Sequence, residues 1–144
     1  MNIIYTTAST TEELLQILSL QRMNLKSSIS AEEMNQEGFV TVEHDLDLLK
    51  RMNNACPHII AKDIQNYITM GQICISKSHR KIGLFKGLYE AMKRSLYPKY
   101  EYIITEVDAT NTRSLNAHLS TGFEKLCTYH SLGQDWELIS LKTS

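Results

Sequence analysis

Between Tyr67 and Asp108 the chain reads strand, basic turn, helix, strand, and this run narrows the fold more than any other stretch. YITMGQICIS (67–76) has the composition of a strand. The next residues gather Lys77, His79, Arg80 and Lys81 ahead of Gly83. From Leu84 an apolar stripe of Leu84, Leu88, Ala91, Met92 and Leu96 marks a helix, which must end by Pro98 because proline cannot donate to a helical ladder. YEYIITEVD (100–108) is the following strand. A helix capped by Asn111 and stopped by Gly122 leads to two last strands, FEKLCTYH (123–130) and DWELISLK (135–142). Strands interleaved with helices in this order make a mixed α/β domain.

The N-terminal half is less regular. Asn2 to Thr6 is β-prone. Thr10 and Glu13 stand at capping-box spacing before a helix whose apolar positions are Leu14, Ile17, Leu18 and Leu25. SAEEMNQEG (30–38) hints at a second helix ended by Gly38. Phe39 to Val42 is β-prone, and Asp45 can cap a short helix carrying Leu46, Leu49 and Met52, closed by Pro57. HIIAKD (58–63) reads as a buried strand.

At 144 residues the chain is one domain in size, able to bury roughly 70% of its unfolded surface in one core. With 42% hydrophobic and 22% charged residues and a formal net charge of −1, it has no global attraction to nucleic acid or anionic membrane, so any basic site is local. No apolar stretch reaches the about 18 residues that span a bilayer, and MNIIYTTAST lacks the pattern of a signal peptide. Cys56, Cys74 and Cys127 are odd in number and far apart, without zinc spacing. Reduced thiols and a cytoplasmic location are the expectation.

A helix N-terminus offers unpaired N–H groups and about half a positive charge, so the basic glycine turn is an anion site by construction. Gly83 lets a phosphate approach the backbone. The turn is neither GxxxxGK[ST] nor GxGxxG, which disfavours a nucleoside-triphosphate loop and dinucleotide binding. By itself a solvated surface turn explains it equally well.

The turn acquires a partner in NTRSLNAHLSTGF (111–123). Together, ICISKSHRKIGLFKGLYEAM and NTRSLNAHLSTGF resemble the two signatures of the GCN5-related N-acetyltransferase superfamily, [RQ]xxGx[GA] after a strand and NxxAxxxYxxxGF. Arg80, Lys81, Ile82 and Gly83 match the first, with Phe85 where a small residue is usual. Asn111, Ser114, His118, Gly122 and Phe123 follow the second, with His118 in the place of tyrosine. The resemblance covers about residues 67–130 and implies a single domain over 1–144, of the acyl-CoA N-acyltransferase type: α/β, with a mixed, mostly antiparallel sheet flanked by helices.

It implies acetyl-CoA as cosubstrate, the pyrophosphate on the N–H groups of Lys81, Ile82, Gly83, Leu84 and Phe85 with Arg80 nearby, and the pantetheine arm along Ile73, Cys74 and Ile75. Asn111 belongs to the same set and also caps its helix. A primary amine would attack the thioester directly. His118 is the candidate acid for the thiolate, or else a core histidine, and Glu106 is the candidate base, or else a paired carboxylate. Bland roles suit the remaining candidates: Glu43, His44 and Asp45 as cap and solvated charges, Cys74 as a small strand residue, Trp136 as core.

The family has a three-stranded meander before the turn, whereas only Ile64, Gln65 and Asn66 separate HIIAKD from YITMGQICIS. Either the two strands form a simple hairpin, or an internal segment between Asp63 and Ile64 is missing from the sequence. The acceptor, a small molecule or a peptide, is left unnamed, since its choice lies in the N-terminal helices and final strands. Exposed edge strands leave room for a homodimer. A CoA-binding module without catalysis is the alternative function; RNA binding through residues 77–86 is disfavoured by the neutral total charge.

Overall fold

The computed structural model describes residues 2–24, 50–57 and 64–144. In order these form α1 (Thr11–Asn24), the helical residues 50–55, β1 (Tyr67–Thr69), α2 (Leu84–Leu96), β2 (Tyr102–Asp108), α3 (Thr112–Thr121), β3 (Glu124–Ser131) and β4 (Gln134–Lys142). The expected elements within 25–49 and 58–63 lie outside the described residues, as does the junction at Asp63.

Local chemistry sets the helix ends. At α1 the Thr10 hydroxyl accepts the Glu13 N–H, and the Glu13 carboxylate accepts the N–H groups of Ser9 and Thr10, closing the capping box. Those bonds hold the Glu13 carboxyl below its ordinary pKa. At α3 the Asn111 side chain accepts the Ser114 N–H at 3.2 Å, and the helix stops at Gly122. The stripe expected along α1 is not buried throughout: Ile17 is exposed, as are Leu15 and Met23. Residues 2–9 take no regular structure where a β-prone start was expected.

The sheet runs β1-β2-β4-β3. β1 pairs parallel with β2, and β4 pairs antiparallel with both β2 and β3. A parallel neighbour needs a long crossover, which the basic turn and α2 supply. β3 and β4 are joined by Leu132 and Gly133, both with positive φ, the geometry that turns a two-residue hairpin without splaying it.

Side chains alternate between two cores. Ile103, Val107, Ile139 and Leu141 pack with Tyr89 of α2 and Leu115 of α3. Ile104 and Leu138 pack on the opposite face with Met52, Cys56 and Ile64. Between Lys125 and Cys127 the register of β3 shifts, Leu126 being the extra residue, so that Cys127 and Tyr129 share the Ile104 face. Without the bulge both would point to the other side. Cys127 is thereby brought to Cys56, 71 residues away, and the two form a disulfide with Cα atoms 6.8 Å apart. This corrects the expectation of reduced thiols for that pair; Cys74 is free. No helix among the described residues is long and apolar enough to cross a membrane.

Asn111→Ala removes the one side-chain acceptor of the α3 N-terminus and costs about 1 kcal/mol. That amounts to a fall in Tm of about 3 °C for a domain of this size, and an unchanged urea midpoint would show that the cap contributes nothing.

Candidate active site

The expected strand 67–76 is assigned as a strand only to Thr69. Met70 N–H still donates to Ile104 O at 2.8 Å, and the Thr105 hydroxyl donates to Met70 O at 2.8 Å. β2 continues to Asp108, paired with β4 as far as Trp136. Among the described residues no backbone hydrogen bond joins 71–76 to β2, so two parallel strands that start together part after Met70.

At the far end of the parted segment sits the basic turn. A 3-10 turn spans Lys77–His79, and His79 N–H donates to Ser76 O. Arg80 folds back so that its Nε donates to Ile75 O at 3.1 Å, tying the turn to the strand that leads into it. Lys81 and Gly83 both have positive φ, at 65° and 83°. The first helical bond of α2 runs from Gly87 N–H to Gly83 O, so the N–H groups of Leu84, Phe85 and Lys86 lie ahead of the ladder. A Cβ built on Gly83 meets nothing within 4 Å, which leaves open space over these donors. Phe85 needs no small replacement because its ring turns inward, edge-on to His118 at 4.9 Å and Tyr89 at 5.3 Å between centroids.

His118 is 2% exposed and enclosed by Phe85, Tyr89 and Phe123. Its Nδ1 lies 2.8 Å from Ser114 O, which accepts only, so Nδ1 holds the proton and Nε2 accepts the Tyr89 hydroxyl at 2.9 Å. Burial pushes the imidazole pKa below its usual value, with the Ser114 carbonyl opposing, and pushes the Tyr89 phenol up. As placed, His118 is a neutral imidazole joining α3 to α2.

Glu106 lies on the other face. It follows Ile104 by two residues, and its carboxylate meets Arg51 Nη2 at 2.7 Å through Oε1 and the Tyr129 hydroxyl through Oε2. Burial raises the Tyr129 pKa, and the adjacent carboxylate adds to the rise. For Arg51, burial works against the charge but Glu106 outweighs it, and the guanidinium pKa is raised. Asp108, next on that face, is turned to the Thr110 N–H and hydroxyl, which hold its pKa down.

The two candidate catalytic residues are therefore separated by the thickness of the sheet. Ile73 and Cys74 line a cleft of about 480 Å3 with Tyr5, Thr7, Tyr89 and Met92. The Cys74 thiol donates to Leu20 O at 3.6 Å, and burial raises its pKa, which suits a strand residue better than a nucleophile. The Trp136 indole N–H donates to Ser131 O at 2.9 Å, and Trp136 is half-buried. Sequence reasoning missed Arg51, Tyr89 and Tyr129. Tyr89 had a signal, standing four residues after Phe85 and three before Met92 on the apolar stripe. Arg51 and Tyr129 had none, since their meeting depends on long-range packing and the bulge.

The buried imidazole fixes a pH dependence. Its folded pKa lies below the ordinary value of 6.5, so the unfolded chain takes up the proton first. Its contribution to stability is complete above 6.5 and is lost as pH falls through the window below. The native chain should lose more stability between about pH 6.5 and pH 5 than His118→Phe does, measured by urea unfolding; equal slopes would mean that the imidazole titrates alike in the folded and unfolded chain.

No protein-family model matches the sequence, and no curated protein matches it. Solved structures do. The NatC complex bound to Gag peptide and CoA aligns over 99% of this chain and 99% of its own, at 17% identity and a TM-score of 0.65. Ribosomal-protein-S18-alanine N-acetyltransferase from Escherichia coli aligns over 96% and 92%, at 14% identity and 0.61. Spermidine N-acetyltransferase from Vibrio cholerae in complex with CoA and spermine aligns over 95% and 94%, at 15% identity and 0.55. Three other acetyltransferase matches span only 44–49% of the length of the chain they match. Over nearly its whole length the chain shares the mixed α/β fold of these N-acetyltransferase structures.

Proposed function

We propose that the chain transfers an acetyl group from acetyl-CoA to a primary amine by direct attack on the thioester. The observation that supports this reading is the parting of β1 and β2 after Met70, next to a helix that starts at left-handed Gly83 with open space above its free donors. Parted strands offer backbone amides to an extended chain of amides, as an added strand would find them. A helix start with Lys81 and Lys86 beside it suits a pyrophosphate. CoA is present in two of the solved structures that share this fold, and one of these also holds spermine, the other a peptide.

In this reading the N–H groups from Lys81 to Phe85 hold the pyrophosphate, with Arg80 keeping the turn against Ile75. Ile73, Cys74 and Ile75 run along the pantetheine arm, and Asn111 holds the start of α3 beside it. Glu106 takes the proton of the incoming ammonium, which with an ordinary pKa of about 10.4 must be deprotonated before it can attack. His118 is a positioning residue on the thioester side, fixing α3 to α2 through Tyr89. A CoA-binding module without turnover is the second reading, and the engagement of both Glu106 oxygens favours it.

Thermal unfolding with CoA tests the common part: at about 100 times its dissociation constant the ligand adds near 2.7 kcal/mol of stability. Gly83→Val, at a cost of about 1–2 kcal/mol for a side chain in left-handed backbone, should fold and lose that response. No shift of the native chain with CoA or acetyl-CoA removes both readings. Thiol release from acetyl-CoA across peptides, polyamines and amino sugars separates them, since silence toward every amine by a chain that binds CoA leaves only the module. His118→Phe should slow turnover more than it weakens CoA binding; equal losses would make it a binding residue.

A further inference from the structure

Glu106, Tyr129 and Arg51 form a cluster in which one buried donor has no acceptor. Arg51 Nη2 bonds Glu106 Oε1 at 2.7 Å, while Arg51 Nε is buried and unbonded. A guanidinium beside a carboxylate ordinarily uses two N–H groups on two oxygens. Here the second oxygen is taken by the Tyr129 hydroxyl, so among the described residues the carboxylate holds Arg51 through one N–H, with the phenol oxygen also beside the guanidinium. The Glu106 side chain is 12% exposed and that of Arg51 is 26% exposed, which lets the arginine swing outward while the residues flanking it, Met52 and Cys56, stay buried.

We propose that the Glu106 carboxylate and the Tyr129 hydroxyl form a seat for an ammonium group, and that Arg51 is the chain's own cation filling it until an amine displaces it. The occupant's identity as acceptor rests on the acetyltransferase reading; the seat does not. A primary ammonium is compact and has three donors, enough to bond the carboxylate and the phenol oxygen together. Of the charged side chains described on this face of the sheet, Asp108, two residues along, is bonded to Thr110, and Lys142 and Glu124 lie toward the opposite end. Trp136, opposite Asp108, turns its indole N–H to Ser131.

Butylammonium chloride titrated into the full chain, followed by NMR of the Tyr129 ring, tests the seat. If Arg51 fills it about nine-tenths of the time, Arg51→Gln should bind butylammonium about tenfold more tightly than the native chain. Glu106→Gln should lose binding, and tetramethylammonium, which has the charge without an N–H, should not compete. Arg51→Met, which keeps the apolar stem, repeats the measurement should the glutamine variant not fold. Affinity unchanged or weaker without Arg51, no Tyr129 response in any form, or failure of both variants to fold would each overturn the seat, the last by making Arg51 structural. Butylammonium bound as expected to a chain that ignores CoA would keep the seat and remove the acetyltransferase reading.

Discussion

The rest of the molecule depends on where β1 stops following β2. Met70 N–H on Ile104 O and the Thr105 hydroxyl on Met70 O are the last links between them, and the hydroxyl acts as a side-chain rung after the regular ladder ends. A sheet that stayed zipped through residue 76 would bury its amides against β2. Because the strands part, the basic turn is carried away from the sheet and α2 begins beside the opening.

Each face of β2 then has its own chemistry. Ile103 and Val107 look toward the enclosed rings of Phe85, Tyr89, His118 and Phe123, where a neutral imidazole and a phenol satisfy one another. Glu106 looks the other way, to a guanidinium and a second phenol. The dry side fixes helices; the polar side holds charge.

What was legible in the sequence was what short-range chemistry decides. Thr10 with Glu13, Asn111 with Ser114, and Gly122 fixed helix ends, and the structure has them where the spacing put them. β2, β3 and β4 appear within two residues of the patterns read for them. The strand expected over 67–76 ends at Thr69, because apolar composition says nothing of whether a neighbour remains within bonding reach. Ile17 sits at helical spacing yet faces outward, since periodicity describes a face and not what covers it. The Cys56–Cys127 pair and the Arg51–Glu106–Tyr129 cluster join residues 55 or more positions apart, or neighbours across a strand, and no local signal encodes them.

The extra residue in β3 links two features that look unrelated. Cys127 and Tyr129 share a parity, so the covalent tie to Cys56 and the hydroxyl on Glu106 are set by one count of residues along a single strand. Pairing the same residues regularly from Lys125 onward, with no bulge at Leu126, would turn both away at once, leaving Cys56 unpaired and Glu106 with a vacant oxygen, whereas deleting Leu126 would keep Cys127 opposite Leu138 and both side chains on their present face. Register along this strand thus acts as a single trait: a slip of β3 by one residue against β4 would break the covalent brace and remove the carboxylate's partner together, and restoring the register would restore both.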